Sequence, residues 1–324
     1  MSQGINMSTA AIIVTYEPNF SGLEQLLTSL RNQLQSIIIV DNASIGKVEL
    51  VLKKFSEFNI CFKKLPENYG IAYAQNIGIS YAIKQGATHF LLLDQDSIPY
   101  SDMVEKLQLA FKSSDHGFKV AAVGPSYVDS RTGSKSLFIT QGKYLPCRTS
   151  PSQYEAEDTY LDVGFLISSG MLVSSEALKE IGGKRSCYFI DHVDTEWCFR
   201  AKSKGFTLLG APQAQMHHSL GDKAKRVWFF GWRQVSYHQP FRDYYMFRNT
   251  LNMINETDMS KIWKLHFIWR LVQFSGYFLF FDNQRKQRLS YMLLGLRHGF
   301  CSLNGRLEHQ TGELVAIPNS ELDP

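Results

Sequence analysis

The sequence predicts an α/β protein with a mostly parallel central sheet, flanking helices and a helical C-terminal region. Apolar runs without polar alternation occupy residues 10–15, 37–40 and 90–93, a pattern typical of strands buried on both faces. Helical spacing separates these runs, and such an alternation favours parallel strands joined by right-handed crossovers. From about residue 227 the composition shifts to aromatic and basic residues.

The first third of the chain alternates regularly between strands and helices. Ser21 and Glu24 match a capping box, which predicts the start of the first helix. Gly86 is the expected C-cap of the third helix. We predict helices over the leucine stripe at 23–34, near 48–55 and at 71–85, and strands at 10–15, 37–40, 60–65 and 90–93.

The remainder is less regular because turn-rich segments interrupt it. Ser175 is the expected cap of a short helix that stops at Gly182, and residues 129–133 are the expected tip of a hairpin. We also predict helices at 103–111, from about 191, at 241–256 and at 261–281, and strands at 119–123, 160–168 and 206–209.

The bulk composition is that of an ordinary globular protein, with 44% hydrophobic and 20% charged residues among 324. The net charge of +4 fits an acidic substrate or an anionic membrane surface and does not indicate nucleic-acid binding. Five scattered cysteines without a CxxC pair indicate free thiols in a reducing compartment. We expect neither a signal peptide nor a transmembrane helix, which takes about 20 apolar residues.

Asp94 and Asp96 form the candidate site around which the chain is organised. Both follow the apolar run at 90–93, so their carboxylates should lie at the carboxyl edge of the sheet, where open α/β sheets bind ligands. Paired carboxylates beside a phosphate-bearing ligand suit a hard divalent ion such as Mg²⁺ or Mn²⁺. The competing interpretation is a capped strand and a surface turn.

Polar residues at other strand ends should reach the same edge. Thr15, Tyr16 and Glu17 end the first strand. Asp41 follows the second strand and could accept hydrogen bonds from a nucleobase or a ribose. The sequence around Asp41 is equally good turn chemistry.

The helix predicted at 71–85 should start at this edge too. Asn68 and Gly70 precede it, and its first backbone N–H groups could face an anion. Asn76 lies about two turns into the helix. It either reaches the cleft or is a buried amide bonded to neighbouring backbone.

Several motifs together resemble the inverting glycosyltransferases of family 2, and within them the rhamnosyltransferases of bacterial O-antigen and surface-polysaccharide synthesis. The likeness covers roughly residues 10–222 and continues more weakly at 242–249 and 295–299. Gln75 departs from the broad family, in which many members have arginine, and agrees with the rhamnosyl branch. The matching pieces are Val14-Thr15-Tyr16, Val40-Asp41-Asn42-Ala43-Ser44, Asn68-Tyr69-Gly70-Ile71-Ala72, Gln75-Asn76-Ile77-Gly78, Asp94-Gln95-Asp96-Ser97, Ser169-Gly170, Asp191-x-x-Asp194-x-Glu196-Trp197 and His218-Ser219-Leu220-Gly221.

The resemblance implies the GT-A fold, a Rossmann-like architecture, and a nucleotide diphospho-sugar as donor. A divalent ion, Mg²⁺ or Mn²⁺, held by Asp96 with help from Asp94 would offset the charge on the departing diphosphate. His218 matches the family's histidine near this metal, although it could be a plain loop histidine beside His217. The nucleotide-sugar contacts implied are Thr15, Tyr16, Glu17, Asp41, Asn68, Gly70, Asn76, Asp94 and Gln95.

By the same resemblance Asp194 is the general base that takes the proton of the acceptor hydroxyl. A place in the first turn of a helix, where the dipole stabilises an anion, favours it over Asp191 and Glu196. A capping role is the alternative. The acceptor contacts implied are Ser169, Gly170, Asp191, Glu196 and Trp197. A helical tryptophan is, however, more often a core residue.

We expect a glycosyltransferase domain at 1–226, with a nucleotide-sugar half at about 8–125 and an acceptor half at about 126–226. The helical region at 227–324 mixes aromatic and basic residues, so it can lie in an anionic membrane interface or pack on the catalytic domain. The expected enzyme is cytoplasmic and peripheral at the inner face of the plasma membrane. It would move L-rhamnose from dTDP-L-rhamnose to a lipid-linked oligosaccharide.

Other functions compete with this prediction. An enzyme of the same fold could use a UDP- or GDP-sugar, because subgroup likeness alone indicates rhamnose. A nucleotidyltransferase would need a Gly-rich basic loop, which residues 14–21 lack. A membrane-attached scaffold with a vestigial site would have a broken set of acids, whereas Asp94, Asp96 and Asp194 are all present.

Overall fold

A mixed sheet of nine strands forms the centre of the molecule in the computed structural model, which describes residues 7–56, 58–113, 117–129, 133–153, 159–218, 223–228, 232–308 and 311–324. The strands of the chain are β1 (Thr9–Thr15), β2 (Ser36–Asp41), β3 (Asn59–Lys64), β4 (His89–Asp94), β5 (Ile98–Pro99), β6 (Val120–Val128), β7 (Phe138–Thr140), β8 (Cys147–Thr149), β9 (Leu161–Asp162), β10 (Leu172–Ser174), β11 (Thr207–His217), β12 (Lys223–Trp228), β13 (Trp232–Tyr237), β14 (Arg306–Leu307) and β15 (Leu314–Val315).

The order of the central sheet is β3-β2-β1-β4-β10-β6-β11-β5, with β9 beside β11. Strands β3, β2, β1 and β4 are parallel, as the sequence predicted. Strand β10 is antiparallel to both β4 and β6, whereas β11 runs parallel to β6. Antiparallel ribbons form from β7 and β8, from β12 and β13, and from β14 and β15.

Helices cover both faces of the sheet. Successive strand residues point to opposite sides, and because β1, β2 and β4 carry apolar residues on both sides, both faces must be packed against helices. The helices are α1 (Phe20–Leu30), α2 (Glu49–Leu52), α3 (Ile71–Lys84), α4 (Met103–Ser113), α5 (Ser175–Ile181), α6 (Val193–Ser203), α7 (Phe241–Glu256), α8 (Lys261–Phe281) and α9 (Arg285–Phe300). In β1, Ile12 packs in the layer of α3, α5 and α6, and Ile13 packs in the layer of α1, α2 and α4.

Capping of the first helix differs from the prediction. The Asn19 side chain accepts a hydrogen bond from the backbone N–H of Gly22 (3.3 Å), so α1 begins one residue before Ser21. The predicted pairing of Ser21 with Glu24 is therefore wrong. Asparagine caps as well as serine, and the sequence offered both.

Other element predictions also need correction. Ser174, rather than Ser175, caps α5. The strand predicted at 160–168 is reduced to β9, whereas β6 and β11 are longer than predicted. The predicted hairpin tip at 129–133 and the motif that follows His218 fall partly outside the described residues. All five cysteines are free, as expected.

The C-terminal helices form a third part of the core. Helix α8 packs through Trp263 and Phe267 against Phe165 and Phe199. Helix α9 lies along α7, and it was not predicted. No described helix has both the length and the hydropathy needed to cross a bilayer. Residue 226 lies within β12, and the domain boundary expected there stays a prediction.

Candidate active site

The register of the parallel strands brings the predicted polar residues to one edge. Strand β1 lies between β2 and β4, with Thr15 opposite Asp41 and Val14 opposite Asp94. The carboxyl ends of three strands therefore meet where the sequence placed the site.

Asp94, Asp96 and His218 form a cluster at this edge. One ligand atom from each lies within 4.8 Å of the others. The imidazole nitrogens of His218 lie 3.8 Å from Asp94 Oδ2 and 3.5 Å from Asp96 Oδ1. His218 is 5% exposed, whereas Asp96 is 53% exposed. Two carboxylates and an imidazole fit a divalent cation that keeps open positions toward solvent for the oxygens of a ligand.

The long strand β11 positions His218 in this cluster. Its pairing with β5 sets His217 opposite Ile98, and the backbone N–H of His218 donates to the carbonyl of Val128 (3.1 Å). The ring of Tyr127 contacts the His218 imidazole edge-on at 5.8 Å. Residues more than 120 positions apart in the sequence thus share one site.

The charges of the cluster act on one another. Burial raises the pKa of Asp94 to about 6, and the negative charges of Asp96 and Asp194 add to the shift, while His218 opposes it. Burial disfavours the protonated form of His218, but a hydrogen bond to Asp96 and the charges of both carboxylates outweigh it and raise its pKa. The cluster therefore favours positive charge at its centre.

Asp194 lies in the first turn of α6, and its charge acts on Asp94 of the cluster. Its Oδ2 accepts from the backbone N–H of Ser168 (2.9 Å) and its Oδ1 from that of Thr195 (2.8 Å). The next residue, Ser169, shares a short hydrogen bond with Ser97, whose hydroxyl lies 3.5 Å from Nδ1 of His218. A short chain of contacts thus joins Asp194 to the acidic cluster.

The two competitors of Asp194 are occupied by arginines. Arg242 binds Asp191 through two hydrogen bonds of 3.1 and 2.6 Å. Burial opposes ionisation of Asp191, yet the charge and hydrogen bonds of Arg242 hold its pKa below the usual value. Glu196 is fully buried and is bonded by Arg185 (2.9 Å) and Arg200 (2.6 and 3.0 Å).

Glu196 and Trp197 cannot contact an acceptor as predicted, because both are 0% exposed. The indole N–H of Trp197 donates to the carbonyl of Gly182 (2.9 Å), and Lys184 lies over its ring at 4.6 Å. These two residues are core residues of α6. The helical position alone did not indicate which face was buried.

Ser169 and Gly170 lie just before β10 and are closely packed. Ser169 is 1% exposed and its hydroxyl is bonded to Ser97. Gly170 has φ +83°, and a Cβ there would lie 2.5 Å from the ring of Pro125. The acceptor contact expected for these two residues stays a prediction.

Comparison with known proteins identifies the family. Residues 10–182 match the model of glycosyl transferase family 2. The dTDP-rhamnosyl transferase RfbF of Shigella flexneri is 32% identical over 253 residues, which are 78% of this chain and 81% of that protein. The chain belongs to glycosyltransferase family 2.

Solved structures confirm the GT-A fold of this family 2 member. S. aureus TarS (residues 1–349) in complex with UDP-GlcNAc aligns with a TM-score of 0.57 at 14% identity, over 98% of both chains. GalNAc-T7 with UDP, GalNAc and Mn²⁺ aligns with a TM-score of 0.56 at 14% identity, over 88% of this chain and 55% of that one. At these identities the likeness establishes the fold alone.

Of the residues predicted to contact the nucleotide-sugar at the strand ends, some are accessible to solvent and others are buried. Tyr16 and Glu17 are exposed, and Gln95 ties the end of β4 to the backbone of Tyr16 through bonds of 2.8 and 3.2 Å. Asn68 is half-buried and accepts from the side chain of Asn42 (2.9 Å). These residues can reach a ligand in the cleft.

The side chains of Thr15 and Asp41 are buried, and Asp41 stabilises the turn that follows β2. Both are 0% exposed. The Asp41 carboxylate accepts from the hydroxyl of Thr15 (2.9 Å) and from the backbone and hydroxyl of Ser44 (3.1 and 2.5 Å). Lys64 Nζ lies 3.8 Å away. The Asp41 carboxylate is therefore occupied by protein partners in this structure, and its contact with a nucleobase or ribose stays a prediction.

At the start of α3, two backbone N–H groups have protein partners. The N–H of Ile71 donates to the carbonyl of Phe189 (2.8 Å), and that of Gly70 donates to the Asn68 side chain (3.0 Å), while the ligand contact expected at Asn68 and Gly70 stays a prediction. Asn76 is 0% exposed and binds the backbone of Lys184 in both directions (2.7 and 2.9 Å). It is the buried amide of the two alternatives.

Two groups of residues were missed by the sequence analysis. Ser97 bridges Ser169 and His218. In α7, Asn249 donates to the carbonyls of Tyr188, Ile190 and Asp191 (3.0, 2.8 and 2.9 Å), and thereby holds the loop that leads into α6. The weak family likeness at 242–249 was the available signal for the second group.

Proposed function

We propose that this family 2 enzyme is a metal-dependent, inverting rhamnosyltransferase that moves L-rhamnose from dTDP-L-rhamnose to a hydroxyl of a lipid-linked glycan in O-antigen or related polysaccharide synthesis. The observation that carries the proposal is the 32% identity to a dTDP-rhamnosyl transferase over 78% of this chain. The acidic cluster and Asp194 supply the chemical groups that the reaction needs.

Asp194 is the general base in this proposal. Two backbone N–H groups and the Thr195 hydroxyl orient its carboxylate, and among the described contacts Oδ2 keeps a further lone pair for an acceptor proton. The acceptor oxygen bonds to the anomeric carbon as the bond to the diphosphate oxygen breaks. The proton passes to Asp194, and configuration inverts in the single displacement. Arginine pairing leaves Asp191 and Glu196 less suited to this role.

Asp94, Asp96 and His218 would hold Mg²⁺ or Mn²⁺. When bound, the ion supplies Lewis-acid stabilisation of the negative charge that develops on the departing diphosphate. The GalNAc-T7 structure of the same fold contains Mn²⁺. His218 is the residue that the resemblance added to the acidic pair, and its distances of 3.8 and 3.5 Å to the carboxylates support a shared ion.

The C-terminal helices supply a surface for the cytoplasmic face of an anionic membrane. On α8 the apolar side chains of Leu265, Trp269 and Val272 are 66, 59 and 54% exposed, and helical spacing sets them on one face. The exposed Arg285 and Lys286 follow at the start of α9. Exposed apolar side chains next to basic ones suit an interface with anionic lipid.

A ligand panel tests the donor. The full chain with Mn²⁺ is melted in the presence of dTDP-L-rhamnose, UDP- and GDP-sugars, since a ligand that binds the folded state raises the melting temperature. We expect dTDP-L-rhamnose to give the largest rise and to be consumed when a lipid-linked acceptor is added. A larger rise in melting temperature with a UDP- or GDP-sugar would identify that sugar nucleotide as the donor instead. No rise with any sugar nucleotide would favour the membrane-attached scaffold with a vestigial site.

A further inference from the structure

A cavity of about 330 Å³ lies beside the start of α6, on the side of the ribbon formed by β7 and β8. The ribbon, the first turn of α6, and helices α7 and α8 contribute its walls. We call it the basic pocket, defined by Arg148, His266, Arg270, Phe267, Phe274 and Thr195. None of these residues was a predicted site residue.

The basic pocket carries positive charge without a compensating acid. Arg148 from the ribbon and Arg270 from α8 both line it, with His266 one turn before Arg270. Among the described lining residues none is acidic. Neither guanidinium has an ion pair within the described part of the chain, and that of Arg270 lies over the ring of Phe274, 4.9 Å from the ring centre.

The two arginines lie close enough to repel each other. Burial and the charge of Arg148 lower the pKa of Arg270. Burial and both arginines lower the pKa of His266. Arg270 is half-buried and Arg148 is exposed, and a partly desolvated cation next to a second cation is stabilised when an anion is bound. The arrangement therefore suits a strong anion.

The remaining walls of the basic pocket are apolar and aromatic. They include Ile139, Phe165, Phe267, Leu271 and Phe274. A free inorganic anion would gain nothing from them. A phosphate ester with an apolar chain would use both halves, because planar guanidinium groups bind phosphate oxygens and the rings bury apolar surface.

The basic pocket adjoins the proposed base. Thr195 lines it, and the backbone N–H of Thr195 donates to Asp194 Oδ1 (2.8 Å). His192, two residues before Asp194, lines it as well. A group bound in the pocket would therefore lie next to the residue proposed to accept the proton of the acceptor hydroxyl.

We infer that the basic pocket binds the phosphate or diphosphate ester of the acceptor, with the adjoining apolar chain against its aromatic wall. This assignment rests on the proposed function for the identity of the acceptor. The binding of the ester itself needs no donor and can be measured separately.

Direct binding to farnesyl diphosphate tests the inference in the full-length protein. EDTA is present so that the metal site does not bind the probe, and inorganic diphosphate and farnesol are the comparison ligands. We expect farnesyl diphosphate to bind at least about tenfold more tightly than either, and Arg148→Gln and Arg270→Gln each to weaken it about tenfold or more. Equal affinity of the wild-type protein and both variants would overturn the inference.

Lys143→Gln is the matched control. Lys143 is exposed in the loop that joins β7 to β8 and does not line the pocket, and its change also removes one positive charge. Binding weakened equally by Lys143→Gln would show a general charge effect and overturn the assignment. The melting temperature of each arginine variant should be unchanged or higher, because the repulsion is relieved.

Vesicle binding and transfer assays distinguish two sources of the bound phosphate, the headgroup of a bulk phospholipid and the ester of the lipid-linked acceptor. Vesicles of phosphatidylglycerol should bind the wild-type protein and the arginine variants equally, whereas the variants should raise the KM for a lipid-linked acceptor with little change in the KM for donor. Loss of vesicle binding without loss of farnesyl diphosphate binding would assign the arginines to bulk lipid and overturn the inference. Absence of rhamnosyl transfer by the wild-type protein would contradict the proposed function alone.

Discussion

Three acids lie within six residues at the start of α6, and their partners give them different roles. Asp191 is held by Arg242 and Glu196 by two arginines, whereas Asp194 accepts only backbone and local hydroxyl hydrogen bonds among the described contacts. A general base must be free to accept the proton of a substrate. Of the three, Asp194 alone meets this requirement.

Asp194→Asn tests the base. The amide is isosteric and can keep one of the two backbone hydrogen bonds, so donor and metal binding should be nearly unchanged. Sugar transfer should fall by about 10²–10⁴-fold, because general-base assistance is lost. Rates of product formation, with dTDP-L-rhamnose affinity measured in parallel, give the result. Wild-type turnover in the variant would remove Asp194 from the mechanism.

Metal binding should depend on pH. A ligand must be deprotonated, yet the pKa of Asp94 is raised to about 6 and that of His218 is raised above its usual value. Lowering the pH below about 6 protonates both groups, so the Mn²⁺ affinity should fall about tenfold per pH unit for each proton displaced. Calorimetry in buffers of different ionisation enthalpy measures the protons released. If the affinity for Mn²⁺ did not change between pH 5 and about 7, this assignment would be contradicted.

The acidic pair was predictable at the residue scale because two acids directly follow a buried apolar run. The orientation of other side chains was not. The sequence pattern predicted that the side chains of Asp41 and Asn76 would lie near the cleft. Both side chains are instead bonded to backbone and hydroxyl groups of the protein. Such choices depend on partners such as Lys184, which lies 108 positions from Asn76.

At the scale of elements, the loop before α6 depends on helix α7. Phe189, Asp191 and His192 have φ values of 66, 63 and 59°, a region that residues with a Cβ seldom adopt. Asn249 donates to three carbonyls of this loop, and Arg248 donates to the carbonyl of Tyr188 (3.0 Å). These bonds stabilise a strained approach to the helix that carries Asp194.

Asn249→Ala should lower both stability and turnover. It leaves buried carbonyls without their donor, which costs about 1–3 kcal/mol of unfolding free energy. The loop would shift Asp194, so kcat should fall while Mn²⁺ affinity stays unchanged. Urea unfolding and steady-state kinetics measure the two effects.

Asn252→Ala is the matched control for Asn249→Ala. Asn252 lies on the same helix, is also 0% exposed, and bonds Leu303 and Asn304 rather than the loop. It should lose comparable stability with little loss of kcat. An equal loss of kcat in both variants would show that destabilisation alone explains the effect.

Element boundaries were predictable where periodicity was strong. Helices α7 and α8 match their predicted bounds. Residues 160–168 are apolar enough for a strand, but most of them form the loop whose Ser168 bonds Asp194. Helix α9 was missed because it buries few apolar residues and packs partly through Arg288, whose ion pairs with Asp243 and Asp282 lie in the core.

Across the whole molecule, α8 belongs to the core and to the surface at once. Trp263 and Phe267 pack against the sheet-bearing part, so truncation before α8 would disrupt folding as well as any membrane contact. The exposed face can be changed by itself. This distinction decides how the membrane proposal is tested.

Leu265→Ser combined with Trp269→Ser should weaken binding to phosphatidylglycerol vesicles by about tenfold or more, because two exposed apolar groups no longer enter the interface. Thermal stability should be retained. Co-sedimentation with vesicles measures the effect, and Leu109→Ser, at an exposed leucine of α4, is the control. Equal sedimentation of the double variant and the wild type would exclude this face as the contact.

The width of α8 sets the distance between the basic pocket on one side of the helix and a bilayer on its other side. His266 and Arg270 line the basic pocket, while Leu265 and Trp269 point outward from the neighbouring positions. An α-helix with its side chains is about 10–12 Å across. A bilayer touching the outer side would thus lie about one helix width from the pocket. An acceptor could keep its hydrocarbon tail in the bilayer and still present its glycan for elongation.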